Sequence, residues 1–180
     1  RGRRGVIRCA PWGARAEVTA AAGAVMRTTG LPCMLYNNPI AYGTDFTPEC
    51  IADLANVHDN LVAVKESSGD ARRVTAARAL LEGRVDVLVG LDDMLLEGVA
   101  AGAVGWVAGL VNALPRESVR LFELAEAGRG DGAARARAVA LYRWFLPLLR
   151  LDTVPEFVQL IKLVQSLVDR GSERVRPPRR

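Results

Sequence analysis

The chain has 180 residues, 50% of them hydrophobic and 24% charged, an ordinary globular composition with room for a sizeable core. Its net charge of +4 sits in its tails: residues 1–15 carry five arginines and no acid, residues 171–180 four arginines and one glutamate, and without them 15 basic residues face 19 acidic ones. Solvated basic tails on a mildly acidic body argue against nucleic acid as a partner, and apolar runs far short of a bilayer's thickness argue against a membrane.

Gly5-Val6-Ile7-Arg8-Cys9-Ala10 reads as a short strand, with Pro11-Trp12-Gly13 as its turn. Residues 15–28 are alanine-rich and suit a helix. Leu31-Pro32-Cys33-Met34-Leu35-Tyr36 reads as a second strand and Asn37-Asn38-Pro39 as its loop. Thr47-Pro48 signals a helix start, a capping side chain followed by proline at the first helical position, and the helix runs to about Val57. Leu61-Val62-Ala63-Val64-Lys65-Glu66 is a third strand, followed by a helix from Asp70 to Leu81. Val85–Gly90 is a fourth strand, Asp92 or Asp93 caps a helix to Ala101, and Ala103–Gly109 is a fifth strand. A helix opens at Pro115 and ends near Gly128. Strand and helix alternate every 20–30 residues, the signature of parallel β/α units.

Beyond residue 129 only helices are expected. One spans 131–149 and bends at Pro147; the next is capped by Asp152 and carries an apolar stripe of Phe157, Leu160, Ile161, Val164, Leu167 and Val168. The expected organisation is a partial barrel over 1–128, a helical extension over 129–170 and a basic tail over 171–180. Three cysteines without CxxC spacing, Cys9, Cys33 and Cys50, exclude a disulfide or zinc framework, and Cys33 and Cys50 read as small core residues. His58, the only histidine, lies in a helix-to-strand loop and reads as exposed. No metal and no cofactor is expected.

The third strand carries the chemistry. Four small apolar residues run into Lys65, and a polar, glycine-containing turn follows. The carboxyl ends of parallel strands form the reactive face of α/β proteins. A lysine emerging there from apolar surroundings should lose its proton more readily and can attack a ketone to form a Schiff base. The other reading is a snorkelling lysine at a strand end. Tyr36 ends the preceding strand and can relay protons in such a reaction, or else simply keep its hydroxyl in water. Gly90 permits close approach of a ligand, and Asp92 and Asp93 either bind substrate hydroxyls or cap a helix. Gly102-Ala103-Val104-Gly105 does not precede a phosphate-binding helix, which excludes a dinucleotide site. Thr28-Thr29-Gly30 lies before a strand, on the wrong face for an anion site.

Taken together, Tyr36-Asn37-Asn38-Pro39, Val64-Lys65-Glu66-Ser67-Ser68-Gly69-Asp70, Gly90-Leu91-Asp92-Asp93 and Gly102-Ala103-Val104-Gly105 resemble the dihydrodipicolinate synthase / N-acetylneuraminate lyase family. The resemblance spans residues 31–170. It implies the C-terminal part of a (β/α)₈ barrel, about five β/α units plus a helical extension, and class I aldolase-type chemistry on a 2-oxo acid. It implies that Lys65 forms the Schiff base, that Tyr36 relays protons and that Gly90, Asp92, Asp93 and Gly105 bind substrate. It further implies a homo-oligomer, a homotetramer in the full-length form, working in the cytoplasm.

Two departures refine this. Where dihydrodipicolinate synthases carry a carboxylate-holding arginine two residues after the proline, this chain has Ala41, followed by Tyr42 and Gly43. Asn37–Gly43, Gly105-Trp106-Val107 and Leu151-Asp152-Thr153 are more similar to the hydroxyproline-catabolic branch, 1-pyrroline-4-hydroxy-2-carboxylate deaminases, whose lysine eliminates water and ammonia from a cyclic imine. The family's early strands, with their carboxylate-binding Gly-Thr-Thr-Gly-Glu type loop, have no counterpart, and a chain that starts with Arg1 reads as processed or partial. The alternatives are a dihydrodipicolinate synthase and a truncated, non-catalytic chain.

Overall fold

The computed structural model describes residues 5–8 and 15–179. Cys9 and the expected turn at Pro11-Trp12-Gly13 lie outside the described residues. The chain forms two compact units, one running to Gly90 and including Ala101–Trp106, the other made of Leu91–Ala100 and everything from Val107 onward. The boundary expected at residues 128 and 129 falls inside the second unit.

The first unit holds a five-stranded, wholly parallel sheet in the order β1-β2-β3-β4-β5, with strands Gly5–Arg8, Cys33–Asn37, Leu61–Glu66, Asp86–Val89 and Gly105–Trp106. Strand order that follows chain order, with no crossover, is the winding of a β/α barrel rather than of a doubly wound sheet. Helices α1 (Arg15–Arg27), α2 (Pro39–Tyr42), α3 (Pro48–Val57) and α4 (Ala71–Leu81) belong to this unit. Leu35, Val64 and Val87 pair in register and are fully buried. Val18, Ala22 and Met26 of α1, Ile51 and Leu54 of α3, and Val74, Ala77 and Leu81 of α4 are buried with them. Alternation puts Tyr36, Lys65, Leu88 and Gly105, also in register, on the opposite face, where each is only half-buried.

In this unit the structure differs from three local expectations. Pro39, expected in the loop Asn37-Asn38-Pro39, instead opens a one-turn helix, Pro39–Tyr42, capped by Asn38, whose side chain accepts from Ala41 N. It is the same cap-then-proline signature as Thr47-Pro48, where the Thr47 hydroxyl accepts from Cys50 N. His58 is 7% exposed rather than exposed. A Cβ on Gly23 would lie 2.8 Å from its Nε2, so the bare backbone of α1 makes room for the imidazole. The fifth strand shrinks from seven residues to Gly105–Trp106, because the amides of Gly109 and Leu110 are taken by the Asp92 carboxylate instead of by a neighbouring strand.

In the second unit α5 (Leu95–Ala100), α6 (Pro115–Ala127), α7 (Gly132–Leu149) and α8 (Phe157–Leu167) follow, with 3₁₀ turns at Asp92–Met94, Leu110–Asn112 and Arg150–Thr153. Leu95, Leu110, Leu121, Phe145 and Leu149 form its fully buried centre. Asp131 caps α7 by accepting from Ala133 N, and α7 continues through Pro147 for its last turn. Neither Asp92 nor Asp93 caps a helix; Leu91 holds the cap position of their 3₁₀ turn without a side-chain bond. Asp152 lies within a 3₁₀ turn, and Glu156 holds the cap position of α8 without a side-chain bond. Of the expected stripe, Ile161 and Val164 are buried, whereas Phe157 and Leu167 are exposed.

Candidate active site

Lys65 and Tyr36 are direct partners in the β2–β3 ladder, near the carboxyl ends of both strands. The Lys65 Nζ stands 4.3 Å from the centroid of the Tyr36 ring, an ammonium-on-ring contact that holds the chain of methylenes across the phenol. No carboxylate pairs with Lys65 among the described residues. The Tyr36 oxygen accepts from Asn38 Nδ2 at 3.0 Å. Tyr42, at the end of α2, meets the Tyr36 ring edge-on, with centroids 5.8 Å apart and planes at 88°, the favoured geometry for two aromatic rings. Gly43 closes α2 at φ +67, a left-handed conformation suited to glycine, with its N–H donating to Pro39 O.

On the other face of the same strand ends lies a buried polar network absent from the sequence reading. Asn37, fully buried, donates from Nδ2 to Glu66 Oε2 at 3.0 Å and to Asp45 Oδ1 at 3.3 Å, and its Oδ1 accepts from Phe46 N at 3.0 Å. Glu66, 2% exposed, also accepts from Ser68 N. Arg73 of α4 forks onto both oxygens of Asp45. Burial pushes the Glu66 carboxyl above its ordinary range, against the lowering effect of the Asn37 and Ser68 hydrogen bonds and the charge of Arg73. The network ties β2, β3 and α4 together just behind Tyr36 and Lys65. Its only sequence signal was an acid directly after the lysine of a buried strand.

Gly90 is where the fold demands a bare backbone. A Cβ there would lie 1.9 Å from Ser67 Oγ, 2.8 Å from Glu66 O and 2.9 Å from Lys65 Cε. Ser67 is fully buried and its hydroxyl has no partner among the described residues. Gly105 lies in the Lys65 row, and a Cβ on it would come within 2.8 Å of Leu88 Cδ2, so its bareness accommodates the neighbouring leucine.

The two aspartates belong to the second unit and part company there. Asp92, fully buried, accepts from Gly109 N with both oxygens and from Leu110 N at 2.7 Å. The carboxylate of Asp92, a residue expected to bind substrate, is enclosed and bonded to these backbone amides. Asp93 retains a partly open side chain, 26% exposed, 3.8 Å from Arg150 Nε. Burial raises the Asp93 carboxyl, opposed by the Arg150 charge. The Tyr142 hydroxyl donates to the Asp93 carbonyl and lies 3.1 Å from Glu97 Oε2; burial and the Glu97 charge push that phenol far above its ordinary range. No group of three or more His, Cys, Asp or Glu side chains suited to a metal ion exists among the described residues. No described helix is long and apolar enough to cross a membrane.

Comparison with known proteins places this geometry in context. The profile of the dihydrodipicolinate synthetase family matches residues 5–179. A 4-hydroxy-tetrahydrodipicolinate synthase of Geotalea daltonii is 31% identical over 159 residues, covering 86% of this chain and 51% of that protein. One of Xanthomonas axonopodis pv. citri is 40% identical over 111 residues, 62% of this chain and 36% of its own. The solved 4-hydroxy-tetrahydrodipicolinate synthase of Methylacidiphilum fumariolicum SolV superposes with a TM-score of 0.85 at 26% identity, covering 97% of this chain and 57% of that one. The chain thus spans about half the length of the curated relatives it matches, and its parallel sheet with C-terminal helices is a partial β/α barrel.

Proposed function

We propose, for a chain that belongs to the dihydrodipicolinate synthetase family, that its protein is a lyase in which Lys65 forms a Schiff base with a 2-oxo acid or a cyclic imino acid. The observation that carries the reading is the registered Lys65–Tyr36 pair, with the amine 4.3 Å from the ring centre and the phenol beside it. The neutral Lys65 amine adds to the substrate's carbonyl carbon. The carbonyl oxygen gains a proton by way of Tyr36 while the nitrogen loses one, giving a carbinolamine. Protonation of the new hydroxyl, again through the phenol, expels water and leaves the iminium. A cyclic imine takes the same route, with its ring nitrogen departing as the amine. Gly90 keeps space for the lysine stem, and Gly105, in the same row, is a further substrate contact in this reading.

The finer activity we propose is that of a 1-pyrroline-4-hydroxy-2-carboxylate deaminase. Supporting it is Ala41 on α2, a position that offers no cation to a second substrate carboxylate. The second reading is a 4-hydroxy-tetrahydrodipicolinate synthase, favoured by the names of the relatives at 31–40% identity. In either reading the protein acts in the cytoplasm as a homo-oligomer, a homotetramer at full length. Two assays separate the readings: ammonia release from the cyclic hydroxy-imino acid, and consumption of pyruvate with an aldehyde acceptor. The first active and the second silent supports the deaminase; the reverse overturns it in favour of the synthase. Lys65→Arg must abolish whichever activity is found, since guanidinium stays protonated in proteins; turnover by that variant would refute the Schiff-base reading itself.

A further inference from the structure

Asn38 stands between two jobs that its amide can do only in one orientation. Its Oδ1 accepts from Ala41 N at 3.0 Å and so caps α2. An amide oxygen is required there, because a backbone N–H needs an acceptor. The other end of the side chain is therefore the NH₂ group, and it donates to the Tyr36 oxygen at 3.0 Å. An NH₂ has no lone pair to receive the phenol's proton. No acceptor for that proton exists among the described residues. We propose that Asn38 is a positioning residue for Tyr36: it fixes the phenol oxygen by donation and leaves the O–H free to point at the reacting group beside Lys65.

The inference rests on Tyr36 being the proton relay and deepens that reading. As the substrate's oxygen takes the phenol's proton, negative charge gathers on the Tyr36 oxygen. A donor already aimed at that oxygen stabilises the charge without reorganisation. Around the phenol stand the Lys65 Nζ from β3, the Tyr42 ring from α2 and the Asn38 amide. Tyr42 confines the ring sideways, Lys65 covers its face, and among the described residues the Asn38 amide holds the oxygen end by donation.

Three substitutions separate positioning from capping. Serine and aspartate both retain an N-cap acceptor for Ala41 N. Serine is too short to reach the phenol, and aspartate puts an acceptor where the donor was. Asn38→Ala loses both functions. If Asn38 positions Tyr36, Asn38→Ser and Asn38→Asp each lower kcat by at least about tenfold with KM changed by less than about threefold, on the scale of general acid–base contributions. Asn38→Asp also moves the alkaline limb of the pH profile upward, because a carboxylate beside the phenol holds its proton. In a Tyr36→Phe background, Asn38→Ser has no further effect, since the group it acts through is gone. If Asn38 only caps α2, serine and aspartate behave as wild type in all three measurements while alanine alone loses activity, and the proposal is overturned. Additive losses in the double variant overturn it as well. Failure of the underlying reading is distinguishable: Tyr36→Phe would then turn over at the wild-type rate.

Discussion

A single glycine decides whether Lys65 can occupy its place. Gly90→Ala would set a methyl 2.9 Å from the lysine's Cε, and the neighbouring Glu66 carbonyl, at 2.8 Å, is backbone and cannot step aside. We expect Gly90→Ala to cost roughly 1–3 kcal/mol in stability through overpacking. It should also lower activity more than that loss of folded protein accounts for, as measured by turnover per mole of folded enzyme; unchanged turnover would show that the lysine has freedom the packing denies. Glu66, next to Lys65 on β3 and bonded to Asn37, has its carboxyl raised above its ordinary range by burial. Raised in the fold relative to the unfolded chain, it contributes stability that is full at low pH. That contribution is lost as pH climbs from the unfolded value, 4.5, through the folded one. Melting temperatures of wild type and Glu66→Gln should therefore differ most in the wild type's favour near pH ~4, and the difference should shrink by pH ~7. A difference independent of pH would mean that Glu66 is not perturbed by folding.

At the scale of elements, the chain's strands and longer helices were legible because their signals are local: apolar runs for β2, β3 and β4, and a cap followed by proline for α3. The failures were non-local. An aspartate beside a helix start reads as a cap, yet Asp92 turns its carboxylate to the amides of Gly109 and Leu110, 17 and 18 residues on. That long-range bond both removes the cap and cuts the fifth strand short, so two misreadings share one cause. His58 reads as exposed from its loop, yet a bare position on a separate helix, Gly23, makes the space it fills. Asp92→Ala should orphan two amides, at roughly 1–3 kcal/mol for each one left buried and unpaired. Chemical denaturation would reveal it; a loss below about 0.5 kcal/mol would imply that water replaces the carboxylate.

Over the whole molecule, the candidate site was legible in its first rank and illegible in its support. Lys65 and Tyr36 stand out in the sequence as polar residues closing apolar strands, and parallel register brings them into contact. Asn38, the Glu66–Asn37–Asp45–Arg73 network and the commitment of Asp92 to backbone follow from how loops fold back, which no short-range pattern encodes. The five-stranded sheet also has two edge strands, β1 and β5, and a half-buried face bearing Met34, Tyr36, Lys65 and Leu88. Open edges and a partly exposed face carrying apolar residues invite association. The 180-residue chain expressed by itself is expected to self-associate or precipitate in size-exclusion chromatography; a monodisperse, cooperatively melting monomer would contradict this.

Within this sequence the lysines are Lys65 and Lys162, so peptide mapping tells the two apart. Protein carrying this sequence is incubated with pyruvate and borohydride, digested and mapped by mass spectrometry. The expected result is a reduced pyruvyl adduct on the peptide containing Lys65, dependent on both reagents and absent from Lys65→Arg. An adduct confined to Lys162, or none in protein that turns over its substrate, would contradict the assignment of Lys65 as the Schiff-base lysine.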